Sequence, residues 1–320
     1  MSPRIVLVLL VITLISGCGP SSSPAPAVSV SPVDAQPAGA LMVTSVPAAA
    51  ANDCDREASL RPGPLPQPGV MPPGSTMAAI ADRGRLIVGV DQDSYPFGSR
   101  NPTTGELEGF DIGLAHEIAR AIFGDPNRIE LKVINPSQRE SELQQGKVDL
   151  VVRTYSITCA RAEKVAFSST YYVANQKVLV TKGSGIDSPA ALSDRRVCSV
   201  NGTTSLPALF ELNPAPTVIG VSSWTDCLVM LQQGQVDAVS TDDAVLAGLA
   251  VQDPNLAVVG ASMGLEPYGV GVNKANEDLV RFVNGVLAQI RADGTWERLY
   301  DNNLRSLGPS PGPPVARYRD

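Results

Sequence analysis

Leu143-Gln144-Gln145-Gly146-Lys147-Val148-Asp149 and Leu231-Gln232-Gln233-Gly234-Gln235-Val236-Asp237 carry the same transition twice in one chain. In each, a helical stretch stops at a glycine, the residue that best tolerates the left-handed conformation of a helix end, and an apolar strand starts two residues later. The repetition predicts two halves built on one plan. Ahead of the first copy, Leu86-Ile87-Val88-Gly89-Val90 reads as a buried strand that ends in the polar Asp91-Gln92-Asp93-Ser94. Gly109-Phe110 leads to Asp111, read as the N-cap of a helix with Leu114, Ile118 and Ile122 at helical spacing and Gly124 as its stop. A strand over Ile129 to Ile134, a short helix over Glu140 to Gln145 and a strand over Val148 to Val152 complete the first half. Around the second copy the pattern predicts strands at Val178 to Thr181, Arg196 to Val200, Thr217 to Val221 and Val236 to Ser240, with helices from Ser205 and over Ser223 to Gln233. Strands alternating with helices imply βαβ units and largely parallel sheets. After Tyr268 to Val272, an amphipathic helix with Leu279, Phe282, Val283, Val286, Leu287 and Ile290 on one face is expected to return to the first half, and Pro309 to Asp320 reads as a loose tail.

The whole-chain numbers fit two compact lobes with additions. The 320 residues are 43% hydrophobic and 18% charged, with a formal net charge of -7, which argues against attraction to nucleic acid or anionic headgroups. A single histidine, His116, removes most Ser/His/Asp and Cys/His hydrolases and most histidine-based metal sites. At the N-terminus, Met1 to Arg4 is short and basic and Ile5 to Ile15 is an apolar run too short to span a bilayer, which suits a secretory signal. Ile15-Ser16-Gly17-Cys18 resembles a bacterial lipobox, so cleavage before Cys18 and its diacylation are expected; an ordinary signal peptide with a chance cysteine is the alternative. Gly19 to Ala51, rich in Ser, Pro and Ala, reads as a flexible tether with a typical span of about 30 Å. Cys54, Cys159, Cys198 and Cys227 remain, an even number suited to an exported chain. They allow three pairings, and the assignment of Cys198 and Cys227 to one lobe favours Cys198 with Cys227 and Cys54 with Cys159. Zinc would need closer pairs than these.

Several segments in register resemble the polar amino-acid solute-binding proteins of ABC importers. They are Leu86 to Asp91, Gly109-Phe110-Asp111, Gly146 to Leu150, Ser156-Ile157-Thr158 with Arg161, Phe167-Ser168, Tyr171-Tyr172, Gly202-Thr203-Thr204, Asp237-Ala238 with Asp242, Tyr268-Gly269-Val270 and Gly294-Thr295-Trp296. Trp224 to Cys227 and the cysteine pairs look closest to the actinobacterial glutamine-binding lipoproteins. The resemblance implies an α/β, two-lobed periplasmic-binding fold of type II, each lobe a mixed, mainly parallel sheet flanked by helices, with two crossover strands as hinge and a ligand between the lobes. The expected boundaries are a signal peptide over 1–17, lipidated cysteine and linker over 18–52, an extension over 53–81, lobe 1 over 82–174 and 268–305, lobe 2 over 175–267, and a tail over 306–320.

A free amino acid brings a carboxylate and an ammonium into a cleft that excludes water, and each needs a counter-charge. By the resemblance Arg161 is the carboxylate's partner, its planar fork suited to two parallel hydrogen bonds, with Thr154 and Ser156 contributing beside it. Gly202, Thr203 and Thr204 follow a strand and open a helix, whose free N–H groups suit an anion but would equally form a simple cap. Asp242 matches the ammonium-binding carboxylate, and an alignment error of one residue would exchange it with Asp243. Asp91 aligns with a pocket carboxylate, while Ser94 and Pro136 stand where clamping aromatics are common, leaving Tyr95 or Phe97 as substitutes. Arg153 near the ligand side chain favours aspartate, glutamate, asparagine or glutamine over basic ligands, unless it pairs with Asp91. No cofactor and no nucleic acid are expected; the partners are a polar amino acid, the membrane through the anchor, and an ABC permease or a membrane signalling protein, with the chain itself a monomer. A dehydratase on the same fold is the enzymatic alternative; such chemistry needs a placed general acid or base, and His116, within the helix after Asp111, is expected on the surface.

Overall fold

Five strands in the order Ile129–Val133, Leu86–Val90, Leu150–Val151, Gly271–Val272 and Ala166–Phe167 form the sheet of lobe 1. The first three run parallel, and Gly271–Val272 is antiparallel to both of its neighbours. Leu86, Val88 and Val90 are buried, as expected of a strand covered on both faces. They pack with the helices Phe110–Phe123, Glu277–Ala292 and Thr295–Asn303 around one apolar core, so the late amphipathic helix does return to lobe 1. The computed structural model describes residues 36–46 and 54–320; the expected signal peptide, Cys18 and most of the tether lie outside the described residues.

Lobe 2 is built on Thr217–Val221, Arg196–Val200, Ala238–Asp242, Tyr172–Thr181 and Leu256–Val259, neighbours in that order. The first three are parallel, and the long strand Tyr172–Thr181 is antiparallel to Ala238–Asp242 and Leu256–Val259. Its other end, Tyr172 to Asn175, pairs antiparallel with Leu265–Tyr268, and these two segments are the connections between the lobes. The two-lobed α/β architecture is thus the one implied by the doubled segment. Both glycines of that segment, Gly146 (φ 64°) and Gly234 (φ 68°), take the left-handed conformation that ends each helix.

The structure departs from the sequence reading at two places on the periphery and at one inside lobe 1. Within the stretch read as a flexible tether, Leu41–Val43 is a strand, antiparallel to Thr217–Val221 on the edge of the lobe 2 sheet. The stretch read as a loose tail contains Arg317–Tyr318, which runs parallel to Ala58–Ser59 of the N-terminal extension. Asp111 is not a cap: Gly109 holds the N-cap position, and the buried Asp111 carboxylate accepts from the Thr154 backbone N–H at 2.7 Å and the Tyr171 hydroxyl at 2.8 Å. The disulfides are Cys54–Cys159 and Cys198–Cys227, the favoured pairing.

Candidate functional site

The strand Leu150–Val151 ends at the wall of the cleft, and the turn beyond it carries Arg153, Thr154 and Ser156, all buried. Thr154 is held at φ 38°, a conformation that costs a non-glycine residue about 1–3 kcal/mol. The hydrogen bond from its N–H to Asp111 holds that turn in place. Burial pushes the Asp111 carboxyl up to about 7. On the facing wall, Thr203, Thr204 and Ser205 follow the strand Arg196–Val200, and Asp242 ends the strand Ala238–Asp242. Together with Pro136, Arg139, Trp224, Thr241 and Val245 these residues enclose a free volume of about 10 Å³, on the order of one water molecule. The lobes are therefore closed, and an amino acid can only enter when they part.

Arg153 forms an ion pair with Asp91 at 2.9 Å, both side chains all but inaccessible to solvent. Burial pushes the Asp91 carboxyl up, but Arg153 and hydrogen bonds from Asp93, Ser94 and Gln92 outweigh it and hold the carboxyl below its ordinary value. Ser94 donates to Asp91 and lies buried beneath it. Of the readings open for Arg153, the Asp91 pair is the one present in this closed form, yet Arg153 lines the cleft and its Nε has no hydrogen-bond partner.

Arg161 stands just behind the lining. Its guanidinium donates to the Ser156 carbonyl at 2.7 Å and, across the cleft, to the Gly202 carbonyl at 2.8 Å. Arg139, a residue not singled out in the sequence, donates to the same Gly202 carbonyl at 2.9 Å and lines the cleft. Both guanidinium groups lie over the Tyr155 ring, at 4.3 Å for Arg139 and 5.0 Å for Arg161. Burial and the neighbouring Arg161 charge pull Arg139 down to about 9, so it stays a cation at neutral pH. Gly202 (φ 81°) fits so closely that an added Cβ would meet the Ser137 Cα at 2.6 Å.

Asp242 is buried; one oxygen accepts from the Tyr268 hydroxyl, and Oδ1 has no hydrogen-bond partner. Burial, then the Glu266 charge, pushes its carboxyl up to about 8. Asp243 faces away, accepting from the Asn175 N–H at 3.1 Å and its Nδ2 at 3.2 Å, so of the two neighbours Asp242 is the one in the cleft. Thr203 donates to Val200 O at 2.7 Å within its own turn, and Thr204 to Glu266 at 2.9 Å. The helix they open, Ser205–Ala208, is a single turn.

Neither expected aromatic substitute reaches the site. Phe97 is buried in the lobe 1 core against Phe110, Tyr172 and Tyr268, and Tyr95 is exposed. The ring that lines the cleft is Trp224 of lobe 2, quoted in the sequence only for its context. A tryptophan opening the helix that follows the strand Thr217–Val221 was the available signal. His116 is half-buried on helix Phe110–Phe123, with Nδ1 against Pro126 O at 2.7 Å, away from the cleft. Among the described residues no cluster of His, Cys, Asp and Glu is arranged to hold a metal ion, and no helix is long and apolar enough to cross a membrane.

Residues 86–306 match the family described as bacterial extracellular solute-binding proteins, family 3. The ABC transporter glutamine-binding protein GlnH of Bacillus subtilis is 37% identical over 226 residues, 70% of this chain and 83% of that protein. A glutamine-binding protein of Geobacillus stearothermophilus is 39% identical over 205 residues, covering 64% of this chain and 78% of its own. A crystal structure of the solute receptors for L-cysteine of Neisseria gonorrhoeae superposes with a TM-score of 0.71 at 29% identity, covering 74% of this chain and 98% of that one.

Proposed function

As the chain belongs to the bacterial extracellular solute-binding proteins of family 3, we propose that it captures a polar amino acid between its lobes, with aspartate, glutamate, asparagine and glutamine as the preferred class. The observation that carries this reading is the Gly202 carbonyl, which accepts from Arg139 and Arg161 of the opposite lobe. When the lobes part, those bonds break; Arg161 keeps the Ser156 carbonyl and Arg139 keeps the Pro136 carbonyl, but each loses an acceptor on the cleft side, where an incoming carboxylate can replace it. Asp242 Oδ1, unpartnered on the other side, supports a role as acceptor for the ligand's ammonium. Arg153 and Arg139 add positive charge to the wall where a side chain would lie, which favours acidic and amide ligands and repels lysine and arginine. Ligand contacts from both lobes would stabilise the closed form over the open one by hinge closure.

The wider setting in this proposal is the outer face of a bacterial, specifically actinobacterial, membrane. Cys18 would carry the lipid anchor after removal of residues 1–17, and the closed, monomeric protein would deliver its ligand to an ABC importer. A membrane signalling protein reading the same closed form is the other outcome, distinguished by labelled amino-acid uptake in a deletion strain.

The direct test is a thermal-shift screen of the twenty amino acids on the purified protein. Stabilisation by glutamine, glutamate, asparagine or aspartate is expected, and it disappears in Arg161→Met and in Asp242→Asn. Stabilisation by lysine or arginine refutes the ligand class, and wild-type binding by both variants refutes the site.

A further inference from the structure

The extension that starts at Cys54 and the last residues of the chain lie outside the stretch shared with the family, which covers residues 86–306, and they meet on lobe 1. Arg317–Tyr318 pairs with Ala58–Ser59, and Asp320 accepts from the Arg61 N–H at 2.6 Å and pairs with Arg281 at 2.5 Å. Inside this clasp, Ser59 donates to Phe167 O at 2.7 Å, and the fully buried Asn284 donates to Ser59 Oγ at 2.8 Å and to Leu60 O at 2.7 Å. At its leading end Cys54 is bonded to Cys159, the first residue of the helix Cys159–Ala162. That helix is one turn long, and it carries Arg161. An isolated turn gains too few hydrogen bonds to hold itself, so its geometry must come from its surroundings. Beside local bonds such as that from the Arg161 N–H to Thr158 Oγ1 at 3.2 Å and from the Val165 N–H to Arg161 O at 2.9 Å, the disulfide ties the turn's first residue to the clasp, a segment far away in the sequence. Arg56, next to the disulfide, also donates to Leu265 O at 3.1 Å, on the strand that returns from lobe 2.

We propose that this clasp is a positioning device for Arg161: the Cys54–Cys159 bond, anchored by the paired ends of the chain, holds the one-turn helix so that the guanidinium meets the ligand's carboxylate. The inference rests on the reading of Arg161 as the carboxylate's partner. Arg161 itself touches the ligand; Cys54 and Cys159 act only through it.

Glutamine titrated calorimetrically into the full chain tests this. Replacing both cysteines, Cys54→Ser with Cys159→Ser, is expected to weaken glutamine by about tenfold, the scale of coupling through a shared backbone segment. Removal of residues 309–320, which strips the partner strand and Asp320 from the clasp, should weaken it in the same direction. In an Arg161→Lys background the cysteine replacements should add less than about twofold, because the loss passes through a guanidinium already gone. Removing a merely structural bond would lower the unfolding midpoint and leave affinity unchanged in both backgrounds. Wild-type affinity in the cysteine variant, or a full tenfold added on top of Arg161→Lys, overturns the clasp. Should the cysteine variant not fold, wild-type affinity in the truncated chain overturns it alone. If the wild type binds glutamine and Arg161→Lys loses it while the clasp variants do not, only the clasp falls; if Arg161→Lys binds like wild type, the reading of the site falls first.

Discussion

Asp242 is a carboxyl that burial and the Glu266 charge push up to about 8, with Tyr268, Asp243 and Arg139 as its other charged or titratable neighbours. At neutral pH it therefore carries a proton in the ligand-free closed form, and pairing with an ammonium would require that proton to leave. Affinity should then rise with pH up to about 8, by at most about tenfold per unit, and level off above, since the free protein is already ionised there. Calorimetry at pH 7 in buffers of different ionisation enthalpy reads the released proton directly; heats independent of the buffer would mean that Asp242 does not meet the ammonium. Asp93, raised to about 8 by burial and by Asp91, and Asp111, raised to about 7 by burial, are the other candidate sources, and neither Asp93→Asn nor Asp111→Asn should remove the effect. At this scale the sequence was partly legible. Arg153, Thr154, Ser156, Thr203, Thr204 and Asp242, singled out through the family resemblance, line the cleft, each standing at or just beyond the end of a strand. Arg139 was not, since one arginine in a short polar helix looks solvated until the fold brings its guanidinium against Tyr155 and Gly202.

Among the elements, the helix Asp243–Val251 shows where local and interlobe demands part. Gly248 sits inside it, where alanine would ordinarily add about 1 kcal/mol of helix stability. Yet a Cβ at Gly248 would lie 1.7 Å from the Tyr95 carbonyl oxygen of lobe 1, an impossible contact with backbone. Gly248→Ala should thus leave lobe 2 as stable as before or more so, while opening the closed form and weakening glutamine by at least about tenfold. Solution scattering of the liganded variant would show a larger radius of gyration than the wild type; equal radius and equal affinity would mean that the ligand complex closes differently. Strands and helices within each lobe were legible from hydrophobic periodicity because their burial is internal to the lobe. The close approach at Gly248 was not, since it depends on how two separately folded halves meet.

For the whole molecule, the strand Leu41–Val43 lengthens the lobe 2 sheet from a stretch whose composition gave no strand signal. Its leading residues explain why: Leu41 and Met42 are 69% and 64% exposed, so there is no alternation for a pattern to detect, and the pairing is directed by the free edge of Thr217–Val221. What holds it is modest. Val43 and Val46 are half-buried against one apolar cluster of lobe 2 and Ala40 against the other. Half-burying two valines and closing a short ladder is worth about 1–3 kcal/mol. Val43→Asp with Val46→Asp should therefore lower the stability of the protein by about that amount in urea unfolding, with the slope unchanged. Glutamine affinity should stay at the wild-type value, because neither residue lines the cleft. The uncovered edge of Thr217–Val221 offers unpaired backbone groups to another copy, so the same variant should self-associate at high concentration in analytical ultracentrifugation. A variant as stable and as monodisperse as the wild type would show that the strand adds nothing to lobe 2; one that loses glutamine would show that the tether reaches further into the binding cycle than its contacts with lobe 2 suggest.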